Sequence, residues 1–226
     1  MNDILSDIMD WSEVWALLIP LLYFLFKRNQ PRYLTPVIVY LFIALLINLT
    51  GNIIADYKDY LPLWMHSNNP LYNLHSLIRL ICFSCFFIAL KQPSFTRLKY
   101  ILPAISLLII IINFKYVENF GNLDHLSGNL LAAEAYILLV YCMLYYLAKL
   151  RDDKSDISSD PDFWIVTGLS IYVVVNFFVF LFYVPMINQN PNLANNIWSV
   201  HNIAYIILCI FITKALYEPA RHQHTA

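Results

Sequence analysis

The sequence predicts an all-α membrane protein: a seven-transmembrane-helix bundle with its N-terminus outside and its C-terminus in the cytoplasm. Seven long apolar stretches are separated by short polar loops. Of the 226 residues, 60% are hydrophobic and 13% are charged, and the mean hydropathy is +0.59, which fits a protein embedded in lipid. We therefore expect a single multi-pass domain, residues 1–226, whose first partner is the lipid bilayer.

The first three spans are expected at residues 11–26, 33–55 and 70–90. Each is close to the roughly 20 residues that a helix needs to cross a hydrocarbon core of about 30 Å. The N-terminal leader carries the acidic residues Asp3, Asp7, Asp10 and Glu13 and no base. A cleaved signal peptide would begin with positive charge, so we expect the first span to be a retained anchor.

The last four spans are expected at residues 98–117, 129–147, 163–185 and 195–217. Their apolar runs lack the polar face that a surface helix of a soluble protein shows. The sequence Asp160-Pro161-Asp162 before the sixth span is typical of a helix start, with Asp160 as the cap and proline in the first turn.

The basic residues set the orientation, because Lys and Arg in short loops are retained on the cytoplasmic side. The opposite loops hold only Lys58 and Lys115. The loops after the first, third and fifth spans and the C-terminal tail carry Lys27, Arg28, Arg32, Lys91, Arg97, Lys99, Lys149, Arg151, Lys154, Lys214 and Arg221. The net charge is −1, and topology already explains these small basic groups, so we expect no nucleic-acid binding.

Polar residues inside the spans are the candidate functional residues, because they are costly in lipid and usually face the interior of a bundle. Measured at 1.5 Å per residue, they lie roughly 8 to 13 Å below the outer boundary. We predict an outward-facing ligand pocket formed by His75, Arg79, Glu134, Asn176, His201, Asn202 and Tyr205, with Asn48 at a similar depth. Arg79 needs an anionic partner, and Glu134 is the only carboxylate that the sequence places clearly within a span, so we expect the two to approach each other.

Short segments carry a family resemblance. Residues 68–74 (NNPLYNL), 162–168 (DFWIVTG) and 201–203 (HNI) resemble the multi-span membrane modules of Bacteroidota-type bacteria, which often precede sensor histidine kinases. The resemblance implies a bacterial inner-membrane location and a sensory ancestry. We expect no kinase in this chain, so that a signal would pass to a separate cytoplasmic or membrane partner.

Three functions are open from the sequence. The first is a non-enzymatic, receptor-like module that binds a small anionic or zwitterionic ligand without a cofactor. The second is a small-solute transporter with a 3+1+3 helix repeat, since residues 21–28 resemble 143–149, and Asn69 precedes His75 by the same six positions that separate Asn195 from His201. The third is an intramembrane zinc hydrolase that uses His75, Glu134 and His201 as metal ligands.

The four cysteines, Cys82, Cys85, Cys142 and Cys209, are expected to pack as small apolar side chains within the spans.

Overall fold

The computed structural model describes residues 8–90, 96–118, 126–151 and 160–218. Helices dominate these residues, and no strand occurs among them. A π-helical turn, Asn113–Val117, extends the fourth helix, and short 3-10 turns lie at Arg32–Leu34, Lys58–Tyr60 and Leu63–Met65. The helices are α1 (Ser12–Phe26), α2 (Thr35–Tyr57), α3 (Asn69–Ala89), α4 (Thr96–Ile112), α5 (Gly128–Leu150), α6 (Pro161–Gln189) and α7 (Pro191–Tyr217).

Among the described residues, the segments containing α2 to α7 are long and apolar enough to cross a membrane. The predicted all-helical architecture is therefore confirmed for the described residues, and six of the helices are candidate membrane spans. Helix α1 has 15 residues, which corresponds to about 22 Å at 1.5 Å per residue. A seventh span and the orientation of the bundle stay predictions.

Local sequence signals explain where the helices begin. Helices α2, α3, α6 and α7 each have proline in the first turn, where its missing N–H costs no hydrogen bond. Helix α5 begins after Ser127, whose hydroxyl accepts a hydrogen bond from the backbone N–H of Leu130 at 3.1 Å. Asp160 occupies the position before α6, as predicted, but its side chain makes no capping bond. Its carboxylate instead accepts a hydrogen bond from Lys149 Nζ at 2.8 Å.

The junction between α6 and α7 differs from the expected loop over residues 186–194. Helix α6 continues through Pro185 to Gln189, and α7 begins at Pro191. The turn needs only Asn190, because the Asn190 side chain accepts a hydrogen bond from the backbone N–H of Leu193 at 3.2 Å and so caps α7.

Six helices form a closed ring. Around it, α1 packs on α2, α2 on α3, α3 on α5, α5 on α6, α6 on α7, and α7 on α1. Helix α4 lies outside the ring against α3 and α5, and very little of it is buried. Three consecutive helices, α1 to α3, thus form one half of the ring, and α5 to α7 form the other.

The two ends of the ring differ in chemistry. Helices α1, α3, α5 and α7 begin at one end of the ring, which we call the polar end, and finish at the other, which we call the basic end. The half of the ring next to the polar end is the polar half. Toward the basic end the interior is filled by buried apolar and aromatic side chains, including Phe83, Phe86, Leu208 and Ile212. Lys27 links α1 to the end of α7 by donating to the backbone carbonyl of Tyr217 at 2.8 Å.

Candidate functional site

The interior of the polar half contains a cluster of buried polar side chains, most of them hydrogen-bonded to one another, which we call the polar network. Every ring helix contributes to it, and each member is at most 4% exposed. Its members are Glu13 (α1), Tyr40 (α2), His75, Ser76 and Arg79 (α3), Glu134 (α5), Tyr172 and Asn176 (α6), and His201 and Tyr205 (α7).

Arg79 and Glu134 form a two-bond ion pair between α3 and α5. Arg79 Nε lies 2.5 Å from Glu134 Oε1, and Nη2 lies 2.8 Å from Oε2. The hydroxyl of Ser76, one helical turn before Arg79, also donates to Oε2 at 2.6 Å. The predicted approach of these two charges is confirmed. Because guanidinium and carboxylate meet as two parallel bonds, this is the strong, oriented form of ion pair.

His201 is the centre of a second polar group, between α7, α6 and α1. Its Nδ1 hydrogen-bonds to Asn176 Oδ1, and its Nε2 lies 2.7 Å from Glu13 Oε1. Glu13 is a second buried carboxylate, in the first turn of α1, and it was not among the predicted site residues. Glu13 stands at the end of an acidic leader, so nothing in the sequence indicated that its side chain lies inside the bundle.

Tyr40 joins the two halves of the ring through its hydroxyl. This oxygen lies 3.2 Å from His75 Nε2 and 3.1 Å from the Tyr205 hydroxyl. The Tyr40 and His75 rings are also stacked, with centroids 5.7 Å apart. Tyr40 was not predicted as a site residue, because a tyrosine within an apolar run is usually a packing residue of the hydrophobic core.

Tyr172 lies between these groups and has an unpaired hydroxyl. The guanidinium carbon of Arg79 is 4.8 Å from the centre of its ring, a cation–π distance. The ring centroids of His201 and Tyr205 lie 5.8 Å and 5.9 Å from that of Tyr172. The hydroxyl is buried and has no hydrogen-bond partner, which is costly for a polar group.

Most of the predicted site residues come together in this network, and Asn202 does not join it. Its side chain donates to the backbone carbonyl of Met9 at 3.0 Å, so it faces the beginning of α1. Asn48 also lies against α1, with Nδ2 3.5 Å from the carbonyl oxygen of Glu13.

The alternative metal set, His75, Glu134 and His201, is not assembled as a group of ligands. Each of the three hydrogen-bonds to a different neighbour, namely Tyr40, Arg79 and Glu13. Within the described part of the chain, no three His, Cys, Asp or Glu side chains are grouped so that they could hold a metal ion.

All four cysteines have free thiols. As expected for packing residues, Cys82, Cys142 and Cys209 are buried, whereas Cys85 is exposed on the outside of the bundle.

Comparison with known proteins gives no family: no family model matches the sequence, and neither a curated protein nor a solved structure is significantly similar to it. The function is therefore inferred from the geometry of the polar network.

Proposed function

We propose that this chain is a non-enzymatic, receptor-like membrane protein that binds a small anionic or zwitterionic ligand in the polar network. One observation carries the proposal: two acid–base pairs, Arg79 with Glu134 and His201 with Glu13, are buried beside the Tyr172 ring, which contacts Arg79 and His201 and carries an unpaired hydroxyl.

Stability alone is a poor reason for such a cluster. Desolvation of a buried ion pair cancels most of its attraction, and well-packed apolar side chains often serve equally well. Polar and ionisable groups within membrane spans usually mark functional sites. The polar network therefore favours a binding role over a purely structural one.

The donors and acceptors fit a ligand with a carboxylate or a zwitterionic headgroup. Arg79 already holds the carboxylate of Glu134 through two parallel bonds, which is the geometry that a ligand carboxylate would adopt. Glu134 and Glu13 offer acceptors to a ligand ammonium group, and Tyr172 can donate or accept through its hydroxyl.

The proposal includes a seventh span and the predicted orientation. Residues 8–10 form a helical turn directly before α1, and residues 8–26 together would extend roughly 28 Å, close to the thickness of the hydrocarbon core. Because the basic loops lie at the other end, the polar half would face the outside of a bacterial inner membrane.

Access from one side favours a receptor. The interior toward the basic end is packed with apolar side chains such as Phe83 and Leu208, so a ligand would enter and leave through the polar half. A change in helix packing would then be read by a separate cytoplasmic or membrane partner.

A second candidate, a solute transporter, is favoured by the arrangement of the two halves. Each half contains three consecutive helices, α4 lies outside the ring, and the polar network lies between the halves. Transporters built from parallel repeats bind their substrates at such an interface.

The test is ligand-induced stabilisation of the full chain in lipid nanodiscs. Acetate, succinate, glycine, glutamate and glycine betaine are each added, and the midpoint of thermal unfolding is measured. At least one probe is expected to raise the midpoint of the wild type, and Tyr172→Phe is expected to reduce the shift. Tyr141→Phe is the matched control, because the Tyr141 hydroxyl bonds to the Lys99 carbonyl at 2.9 Å, far from the network.

If no probe shifts the wild type, or if both tyrosine variants respond like the wild type, the proposed site is wrong. Uptake of a stabilising probe by proteoliposomes then separates the two functions. Accumulation inside the vesicles would support the transporter, and saturable binding without accumulation would support the receptor.

A further inference from the structure

The hydrogen bonds of Asn176 determine which nitrogen of His201 carries a proton. Asn176 Nδ2 donates to the backbone carbonyl of Tyr172 at 2.8 Å. A carbonyl can only accept, so the amide nitrogen must face it, and the amide oxygen therefore faces His201 Nδ1. Because the amide oxygen is also only an acceptor, Nδ1 must be protonated.

The second nitrogen of His201 then shares a single proton with Glu13. His201 Nε2 and Glu13 Oε1 are 2.7 Å apart, a distance that requires one hydrogen between them. The proton lies either on Nε2, giving an imidazolium and a carboxylate, or on Glu13, giving a neutral acid and a neutral imidazole. In both forms the pair holds one exchangeable proton and has no net charge.

We propose that Glu13 and His201 form a proton-binding site that holds α1 against α7. Loss of the shared proton would leave the lone pair of Nε2 facing a carboxylate oxygen. In a buried, low-dielectric setting this contact is repulsive. Release of the proton would therefore separate α1 from α7. The contact between these helices is one of the two places where the halves of the ring meet. Glu13 and His201 also belong to the proposed ligand site, but the shared proton is held without any ligand, so the two proposals can fail separately.

Three unpaired polar atoms lie close to this site, beside the first turn of α1. The buried atoms Ser12 Oγ, Asn48 Oδ1 and Asn202 Oδ1 have no hydrogen-bond partner. Ser12 precedes Glu13 in the chain, Asn48 contacts the Glu13 carbonyl, and Asn202 contacts the Met9 carbonyl one turn earlier. Oxygen atoms of this kind can hydrogen-bond water, which would carry a proton from the polar end of the ring.

The charged groups closest to the Glu13–His201 pair have partners of their own. Both ring nitrogens of His201 are engaged, by Asn176 and Glu13, and the guanidinium of Arg79 is neutralised by Glu134. The remaining titratable and charged groups that lie near His201 and Glu13 are Asp10 before α1, Tyr40 on α2, Tyr72, His75 and Arg79 on α3, Glu134 on α5, Tyr172 and Tyr183 on α6, and Tyr205 and Cys209 on α7.

The test compares unfolding of the full chain in nanodiscs between pH 7 and pH 9, without added ligand. The native cysteines are replaced by alanine, because buried thiols such as Cys142 and Cys209 would otherwise release protons on unfolding in this range, and this cysteine-free chain serves as the wild type. In this range a histidine of the unfolded chain, with its ordinary pKa of about 6.5, has lost its proton. The proposal requires the folded chain to keep the proton that Glu13 and His201 share. The unfolding equilibrium constant of the wild type is therefore expected to rise by up to tenfold per pH unit. Glu13→Gln is expected to show a flat profile, because the amide N–H₂ can donate to Nε2 and does not titrate.

His75→Gln is the matched control, since His75 is buried in the same network but is not part of the pair. It is expected to keep the slope of the wild type. The proposal is overturned by a flat wild-type profile, by a slope that persists in Glu13→Gln, or by a slope that disappears in His75→Gln.

Separation of α1 from α7 can be measured directly by cysteine labelling. Ser12 is fully buried, so Ser12→Cys, in a chain whose native cysteines are replaced by alanine, reports opening by its rate of labelling with a maleimide. Between pH 7 and pH 9 the ratio of this rate to the rate with Glu13→Gln added is expected to rise several-fold, because each transient opening releases the shared proton. Taking the ratio at each pH cancels the pH dependence of thiol chemistry, and a ratio that stays constant would contradict the opening.

Discussion

Arg79 on α3 binds Glu134 on α5 at one junction between the halves of the ring, and its counterpart lies at the other junction. There His201 on α7 binds Glu13 on α1, with 2.7 Å between nitrogen and oxygen. In both pairs the first helix of one half supplies the carboxylate, and the third helix of the other half supplies the basic group. The two halves are thus joined by acid–base contacts in the polar half and by apolar packing toward the basic end.

The first prediction concerns the Arg79–Glu134 pair. Either Arg79→Met or Glu134→Leu alone is expected to destabilise the protein by about 3–5 kcal/mol, because each leaves one buried charge without its partner. The double variant is expected to be close to the wild type in stability, since it removes both charges and fills similar volume. Chemical unfolding in detergent measures the three free energies.

The double variant also separates stability from function. If the pair serves only to lock α3 to α5, the double variant retains any ligand-induced stabilisation. We expect the stabilisation to be lost. Single variants as stable as the wild type would contradict the view that the pair is fully desolvated.

The sequence predicted the helices well because their apolar runs are long and uninterrupted, and it predicted Arg79 with Glu134 because one buried cation needs one buried anion. The sequence did not predict the role of Glu13, because composition alone does not distinguish an acidic leader from the first turn of a helix. It also missed Tyr40 and Tyr172, because a tyrosine ring packs equally well with or without a partner for its hydroxyl. Such partners come from helices distant in the chain.

The second prediction concerns the packing of α6 on α7. A Cβ atom on Gly168 would lie 2.5 Å from Cβ of Phe211, so Gly168→Ala would force the two helices apart. We expect a loss of about 1–3 kcal/mol, the usual cost of overpacking. Gly51→Ala on α2 is the matched control, since nothing lies within 4 Å of its Cβ position.

For Gly51→Ala we expect unchanged or slightly increased stability, because alanine favours a helix over glycine by about 1 kcal/mol. Unfolding midpoints of the two variants are compared under identical conditions. Equal midpoints would show that α6 and α7 are farther apart than the structure indicates.

The third prediction compares two buried tyrosines of the polar network. Tyr40→Phe removes the oxygen that contacts both His75 and Tyr205 and is expected to cost about 1–3 kcal/mol, because it leaves buried polar groups unpaired. Tyr172→Phe removes a hydroxyl that has no partner, so stability is expected to stay the same or to rise. Chemical unfolding measures both, and a larger loss for Tyr172→Phe would show that its hydroxyl is bonded in the native protein.

The last prediction tests the seventh span and the orientation by cysteine labelling in intact bacterial cells. Asp10, Asn29 and Asp59 are exposed; Asp10 and Asp59 lie near the polar end, and Asn29 lies near the basic end. In a chain with its native cysteines replaced by alanine, Asp10→Cys and Asp59→Cys are expected to react with a membrane-impermeant maleimide. Asn29→Cys is expected to react only after permeabilisation.

The three positions distinguish the possible topologies because α1 lies between Asp10 and Asn29, and α2 lies between Asn29 and Asp59. If α1 did not cross the membrane, Asp10→Cys and Asn29→Cys would react on the same side. If the orientation were reversed, only Asn29→Cys would react in intact cells. That result would place the polar network, and the Glu13–His201 proton site with it, on the cytoplasmic side, where it would respond to cytoplasmic pH.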